Sequence, residues 1–217
     1  MAGTIVVGNH THEEILDSLN AVDEMAVGTR AGSRLRSRMM HFAADEDFRI
    51  YASSMKGDPK TLQIVNDPSI SLLVLDRRTD QSGWREIEVT GRAEIVTDPA
   101  ERARALEMVS GPSPIVAHLK GAGQTDILDF IRITPIEVKM RIFGEIVAGM
   151  PPTVVEFEEN ARAESDLAGV RKRFTAWREA VRTLSLLASL VPVVLGVAFA
   201  WNITGEIAWF PAVFTLL

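Results

Sequence analysis

The sequence predicts a mainly β fold: a small barrel of six to seven strands carrying short helices, followed by a C-terminal helical segment that crosses a membrane. Short alternating segments recur between turn-like clusters, the spacing of antiparallel sheets rather than of strand-helix-strand repeats. Cap residues and prolines mark two or three short helices between them. A third observation sets the end of the chain apart, because no charged residue occurs between Thr183 and Gly205.

Thr11 with Glu14 forms a capping-box pattern ahead of Ile15, Leu16 and Leu19, so a short helix opens the domain. Met25 to Thr29, Arg34 to Phe42 and Phe48 to Ala52 read as three strands of a meander, separated by AGS and DED. Asp58-Pro59-Lys60 starts a helix that ends near Asn66-Asp67-Pro68, since proline disfavours helical geometry in the residue before it. A strand from Ser69 to Leu75 and a long one from Trp84 to Val96 come next. Asp98-Pro99-Ala100-Glu101 caps a helix running to about Val109, which Gly111, Pro112 and Pro114 break. Two last strands, Ile127 to Ile133 and Ile136 to Phe143, are expected on either side of Thr134-Pro135.

The run TLSLLASLVPVVLGVAFAW is long enough to cross a bilayer. Arg171, Lys172, Arg173, Arg178 and Arg182 precede it against a single acid, Glu179, so the positive-inside bias places the preceding domain on the cytoplasmic face of the inner membrane. Trp177 and Trp201 flank the run as interfacial anchors. The expected organisation is a folded domain over 1–150, a linker and basic juxtamembrane helix over 151–182, and a membrane helix over 183–217 with the start of a second. The acid-rich stretch 155–166 reads as the linker, and residues 1–24 carry no signal-peptide pattern.

Composition narrows the chemistry. With 23 Lys and Arg against 29 Asp and Glu, the net charge of -6 speaks against a nucleic-acid partner. The absence of cysteine excludes disulfides, thiolate metal sites and cysteine nucleophiles. No Gly-x-Gly-x-x-Gly or Gly-Lys-Ser/Thr loop is present, and no Ser/His/Asp triad emerges from spacing. His10-Thr11-His12 reads as a solvated helix start rather than a metal site, His41 as a packed or hydrogen-bonded side chain, and His118 as part of a Pro/Gly-rich loop.

One strand stands out. In RLRSRMMHF, alternation places Arg34, Arg36, Arg38 and Met40 on one face and Leu35, Ser37, Met39 and His41 on the other. Like charges sharing a face call for nearby acids, open solvent or an anionic ligand. The following YASSMKGDPK sets Ser53 and Ser54 and a Gly57 turn before a helix start bearing Lys60, a pattern that suits a phosphate cradle.

These residues carry a resemblance. SRMMHFAADEDFRIYASSMKGDPKTLQIVNDPSISLLV, continued by WREIEVTGRAEIVTDP, closely resembles the core of the pyridoxamine-phosphate-oxidase-like FMN-binding split barrels, over roughly residues 20–145. The resemblance implies a split β-barrel, a homodimer, and FMN at the subunit interface. Matched to the family's motif, Arg38, Tyr51, Ala52, Ser54 and Lys60 would hold the cofactor, with Arg36, Met39 and Ser53 beside them. Glu86 stands where pyridoxamine phosphate oxidases carry a Gln near the flavin ring. Their C-terminal Arg-x-His segment is missing after Phe143, so vitamin B6 oxidation is not expected. Related split barrels bind deazaflavin F420 or haem, which remain alternatives to FMN.

The stretch VRTLSLLASLVPVVLGVAFAW is similar to the first membrane helix of UbiA-type prenyltransferases of menaquinone synthesis, whose Asp-rich diphosphate motifs are not present. The combined expectation is a membrane-tethered FMN-dependent oxidoreductase acting on a small redox substrate. A non-catalytic flavin- or haem-binding regulatory module is the alternative.

Overall fold

The computed structural model describes residues 4–157. Eight strands form one antiparallel sheet: β1 (Thr4–Val7), β2 (Glu24–Ala31), β3 (Arg34–Ala44), β4 (Ile50–Met55), β5 (Ser69–Asp76), β6 (Arg85–Ile95), β7 (Leu128–Ile142) and β8 (Thr153–Phe157). Their order is β1-β8-β7-β4-β3-β2-β5-β6, and an added β7–β6 pairing closes six of them into a barrel. Five helices decorate it: α1 (His12–Leu19), α2 (Pro59–Asn66), α3 (Pro99–Ser110), α4 (Pro114–Gly121) and α5 (Phe143–Val147).

The helix starts follow the capping logic of the sequence. Thr11 accepts from the Glu14 N–H while Glu14 reaches back to the Thr11 N–H, the reciprocal box. Asp58 and Asp98 cap α2 and α3, each followed by proline at the first helical position, where a missing N–H costs nothing.

Alternation places Met25, Val27, Met40, Phe42, Leu72, Val74, Ile87, Val89, Val138 and Met140 inside the barrel, all buried. A second core forms on the outside of β4 and β7, where Tyr51, Leu128 and Phe130 are covered by Ala105 and Val109 of α3 and Val116 and Leu119 of α4.

Several details differ from the sequence reading. Thr134-Pro135 does not divide two strands, because β7 runs unbroken through it. The ladder with β6 shifts register there, between Thr90 and Gly91, and a bulge is where a strand tolerates proline. Gly91 is required opposite, since a Cβ would collide with the Thr134 carbonyl oxygen. Pro114 does not terminate structure. It opens α4 behind the cap Ser113, and His118 lies on that helix rather than in a loop. Ser53 and Ser54 lie within β4, opposite Phe130 and Asp129 of β7, rather than in a turn. Strands β1 and β8 were not anticipated. They pair with each other, and β8 also pairs with β7, so the sheet extends past residue 150 into the stretch read as linker. Among the described residues no helix is long and apolar enough to cross a membrane, and the expected membrane segment lies outside them.

The site is positioned by where the barrel wall opens. β3 pairs with β4 only over Phe42–Ala44 against Ile50–Ala52. Beyond those rungs β3 continues on β2 alone and β4 on β7 alone, so Arg34 to His41 and Ser53 to Met55 border a split. Helix α2 packs on β2 and β6 beside it.

Candidate functional site: a cationic cradle at the barrel split

Arg38 lies on β3 beyond the last rung shared with β4, on the face that carries Met40 and Phe42 into the core. Its Nη2 donates to Thr29 Oγ1 at 2.6 Å and to Gln63 Oε1 at 2.9 Å. Thr29 in turn donates to Gln63 Oε1 at 2.8 Å, closing a three-membered ring of hydrogen bonds between β2, β3 and α2. Nη1 of the same guanidinium is buried and has no hydrogen-bond partner. Burial lowers the affinity of Arg38 for its proton, Arg36 nearby adds to that effect, and Asp58 opposes it.

Lys60 sits in the first turn of α2. Its Nζ is 2.8 Å from Asp58 Oδ2, and its backbone N–H donates to Asp58 Oδ1 at 3.0 Å. The side-chain hydrogen bond from Lys60, then its backbone one, hold the Asp58 carboxyl below the usual range, with the charges of Lys60 and Arg38 adding to them. Two cations, Arg38 and Lys60, therefore act on the one anion, Asp58, at the helix start, with Arg36 close enough to Arg38 to act on its charge.

The structure distributes the other expected site residues unevenly. Ser54 is buried and its Oγ donates to the Met55 carbonyl, while Ser53 is half-buried on the opposite side of β4. Tyr51 and Ala52 belong to the last rungs joining β4 to β3. The Tyr51 hydroxyl points away from the split to Glu101 on α3, at 3.1 Å, and burial with that hydrogen bond raises its pKa. Glu101 also accepts from Arg132, at 3.0 Å, and this network is separate from the cradle. Met39 is exposed on the outer face, in a groove of about 550 Å³ with Ala26, His41, Leu73 and Leu75. Glu86 pairs across to Leu75, and its carboxylate takes a 3.1 Å ion pair from Arg141.

Sequence reasoning missed Thr29 and Gln63. Gln63 follows Lys60 by three positions on one helix, so its presence on the same face was legible. Thr29 is opposite Arg36 in the β2–β3 ladder, a placement that only register reveals. His10 proved to be a structural partner, with Nε2 at 2.8 Å from Glu145. Among the described residues no cluster of three metal-ligating side chains occurs.

A barrel with this split and this cationic helix start is matched over residues 11–141 by the family model for pyridoxamine 5'-phosphate oxidase. The chain belongs to that flavin-binding fold family. No curated protein matches it. Among solved structures, it is similar to a conserved hypothetical protein, Rv2991, from Mycobacterium tuberculosis, with 20% identity, a TM-score of 0.54, and coverage of 66% of this chain and 91% of that one. A heme binding protein from Mycobacterium smegmatis is similar at 12% identity and a TM-score of 0.51, over 62% of this chain and 55% of that one. A FAD-binding protein from Mesorhizobium loti matches at 19% identity and a TM-score of 0.48, over 70% and 98%. These likenesses concern the fold. The prenyltransferase-like stretch lies outside both the described residues and the family match.

A phosphorylated flavin would need an anion site, and the cradle has unused donors suited to one. An ionised guanidinium with two unused N–H groups in a buried position is costly unless an acceptor reaches it. Lys60 and the first turn of α2 add charge and dipole at the same place.

Proposed function

We propose that this protein binds FMN at the split of its barrel and uses it in an oxidoreductase reaction on a small redox substrate. The observation that carries the reading is the orphaned Nη1 of Arg38 beside the Lys60 helix start, since a phosphate would supply the missing acceptor. Arg38 and Lys60 would neutralise the phosphate, Arg36 would add long-range attraction, and Ser53 and Ser54 would border it on β4. Tyr51 and Ala52 would contribute through the backbone of the rungs that end at the split. The flavin, when bound, supplies the hydride chemistry. The chain's residues bind it, orient it and shield it from water.

The homodimer belongs to the same proposal. Leu35 and Met39 on β3 and Leu73 and Leu75 on β5, the two strands that flank β2, are exposed on the outer face, an apolar surface that a second copy would cover. Glu86, paired with Arg141 at the edge of that face, would stand near the ring of the cofactor. We further propose that the charge-free run after Thr183 tethers this module to the cytoplasmic face of the membrane, and that residues 183–217 begin a prenyltransferase-like segment to which the flavin domain is fused. F420 remains a cofactor alternative that the same phosphate cradle would accept.

A second reading takes haem as ligand and a regulatory role. It is favoured by His41, whose Nδ1 lies 3.2 Å from the Asp23 carbonyl while Nε2 faces the groove rim near Glu24, 3.8 Å away. Titrating the full chain in detergent with FMN and with haemin separates the two. FMN binding that weakens about a hundredfold in a folded Arg38→Ala/Lys60→Ala double variant supports the first reading. Unchanged FMN affinity in that variant, or haem binding lost in His41→Ala with no FMN binding, overturns it.

A further inference from the structure

We infer that Thr29 and Gln63 are positioning residues that aim Nη1 of Arg38 at the phosphate of the cofactor. The inference rests on the FMN reading above and adds to it two residues, neither of which would touch the ligand.

The geometry is a satisfiability argument. A guanidinium carries five N–H groups and no acceptor. The two on Nη2 are both used, one on Thr29 Oγ1 and one on Gln63 Oε1. The Thr29 hydroxyl spends its own proton on Gln63 Oε1, so the amide oxygen receives two donors and the Gln63 orientation is fixed. A side chain held this way at one nitrogen has lost its rotational freedom, and the other nitrogen is left buried with two unused donors. Ordering a long side chain in advance removes an entropic cost from binding. The three residues come from β2, β3 and α2, so the ring also fixes the start of α2, and Lys60 with it, against the barrel wall.

The arrangement explains a choice of residue types. A carboxylate at position 63 would pair with Arg38 and cancel the charge the phosphate needs. Gln accepts the same hydrogen bonds and leaves the charge in place. Thr29 is buried and would be a plain core position on β2 if packing were its only role.

The test compares FMN with riboflavin, which has the same ring system and no phosphate. Binding of each to the full chain in detergent is followed by quenching of flavin fluorescence, for the wild type and for Gln63→Leu, Gln63→Glu, Thr29→Val and Thr29→Ser. The wild type is expected to prefer FMN. Gln63→Leu and Thr29→Val should each lower the FMN-to-riboflavin preference about tenfold with riboflavin affinity unchanged, Gln63→Glu should lower it further, and Thr29→Ser should keep it. A purely structural role would weaken both ligands together. Retention of the full preference in a folded Gln63→Leu, or equal loss for both flavins, overturns the inference while leaving the FMN reading intact. A wild type with no preference for FMN overturns the FMN reading itself.

Discussion

Lys60 Nζ lies 2.8 Å from Asp58 Oδ2, so the cation at the helix start is already paired before any ligand arrives. The same carboxylate caps α2 through the Lys60 N–H, which is one of the donors a phosphate would seek. Asp58 therefore builds the helix start and, under the proposed reading, would compete there with the phosphate. The Lys60–Asp58 pair is neutral by itself, so the positive balance of the cradle comes from Arg38 on β3.

That competition gives a directional expectation. Asp58→Asn keeps a capping side chain, which stabilises a helix start about as well as Asp. It removes the negative charge, so FMN affinity is expected to rise roughly threefold to tenfold at low salt, with the gain shrinking as salt screens the more positive cradle. Isothermal titration at low and moderate salt checks it. A fall in affinity would show that Asp58 orients Lys60 for the ligand rather than competing with it.

Tyr51 is expected to matter for stability and not for the cofactor. Its hydroxyl is spent on Glu101, and its ring is buried between β4 and α3. Tyr51→Phe keeps the ring, removes one hydrogen bond, and should cost about 1 kcal/mol in urea unfolding with FMN affinity unchanged. A loss of FMN affinity without a loss of stability would put the hydroxyl back in the site.

Gly91 faces the Thr134 carbonyl at the bulge where Pro135 enters β7. Gly91→Ala has no room for its Cβ, so the ladder between β6 and β7 must shift, at an expected cost of roughly 1–3 kcal/mol. Thermal unfolding of the variant tests this. Wild-type stability would mean that the bulge relaxes freely.

Asp76 at the end of β5 is buried and accepts two hydrogen bonds from the Arg78 guanidinium, at 2.9 and 2.8 Å, and a third from the Arg78 backbone N–H at 3.0 Å, with Arg85 3.8 Å away. The Arg78 bond is the chief cause that holds its carboxyl below the usual range, and burial opposes it. Because the folded value is depressed, the stabilisation is complete above the unfolded carboxyl value of about 4 and is lost as pH falls through the folded one. Asp76→Asn should therefore be less stable by roughly 1–3 kcal/mol at pH 7, with the gap narrowing below about pH 4. A gap independent of pH would remove the charge from the explanation.

The legible and illegible parts of this fold divide by the range over which their causes act. Caps at Thr11, Asp58 and Asp98 speak through three or four neighbouring residues, and all three helices start where the sequence places them. The alternation of β3 put Arg34, Arg36 and Arg38 on one face correctly. Ser113 before Pro114 is also a helix start, but a proline after Gly111 reads more readily as a breaker. The continuity of β7 through Pro135 depends on Gly91, forty-odd residues away, and β1 finds its partner β8 at the other end of the described chain. In the candidate site, the strand face of Arg38 and the helix-start position of Lys60 follow from local pattern, whereas the serines, read as a turn, lie within β4. The ring that fixes Arg38 joins residues on three elements and exists only in the fold.

The most direct test of the central claim is the absorption spectrum of the full chain as purified in detergent, with the released cofactor identified by mass. The account predicts flavin bands and the mass of FMN, or their appearance on adding FMN to colourless protein. Protein that stays colourless after FMN is added, or that carries a haem spectrum and excludes FMN, would contradict it.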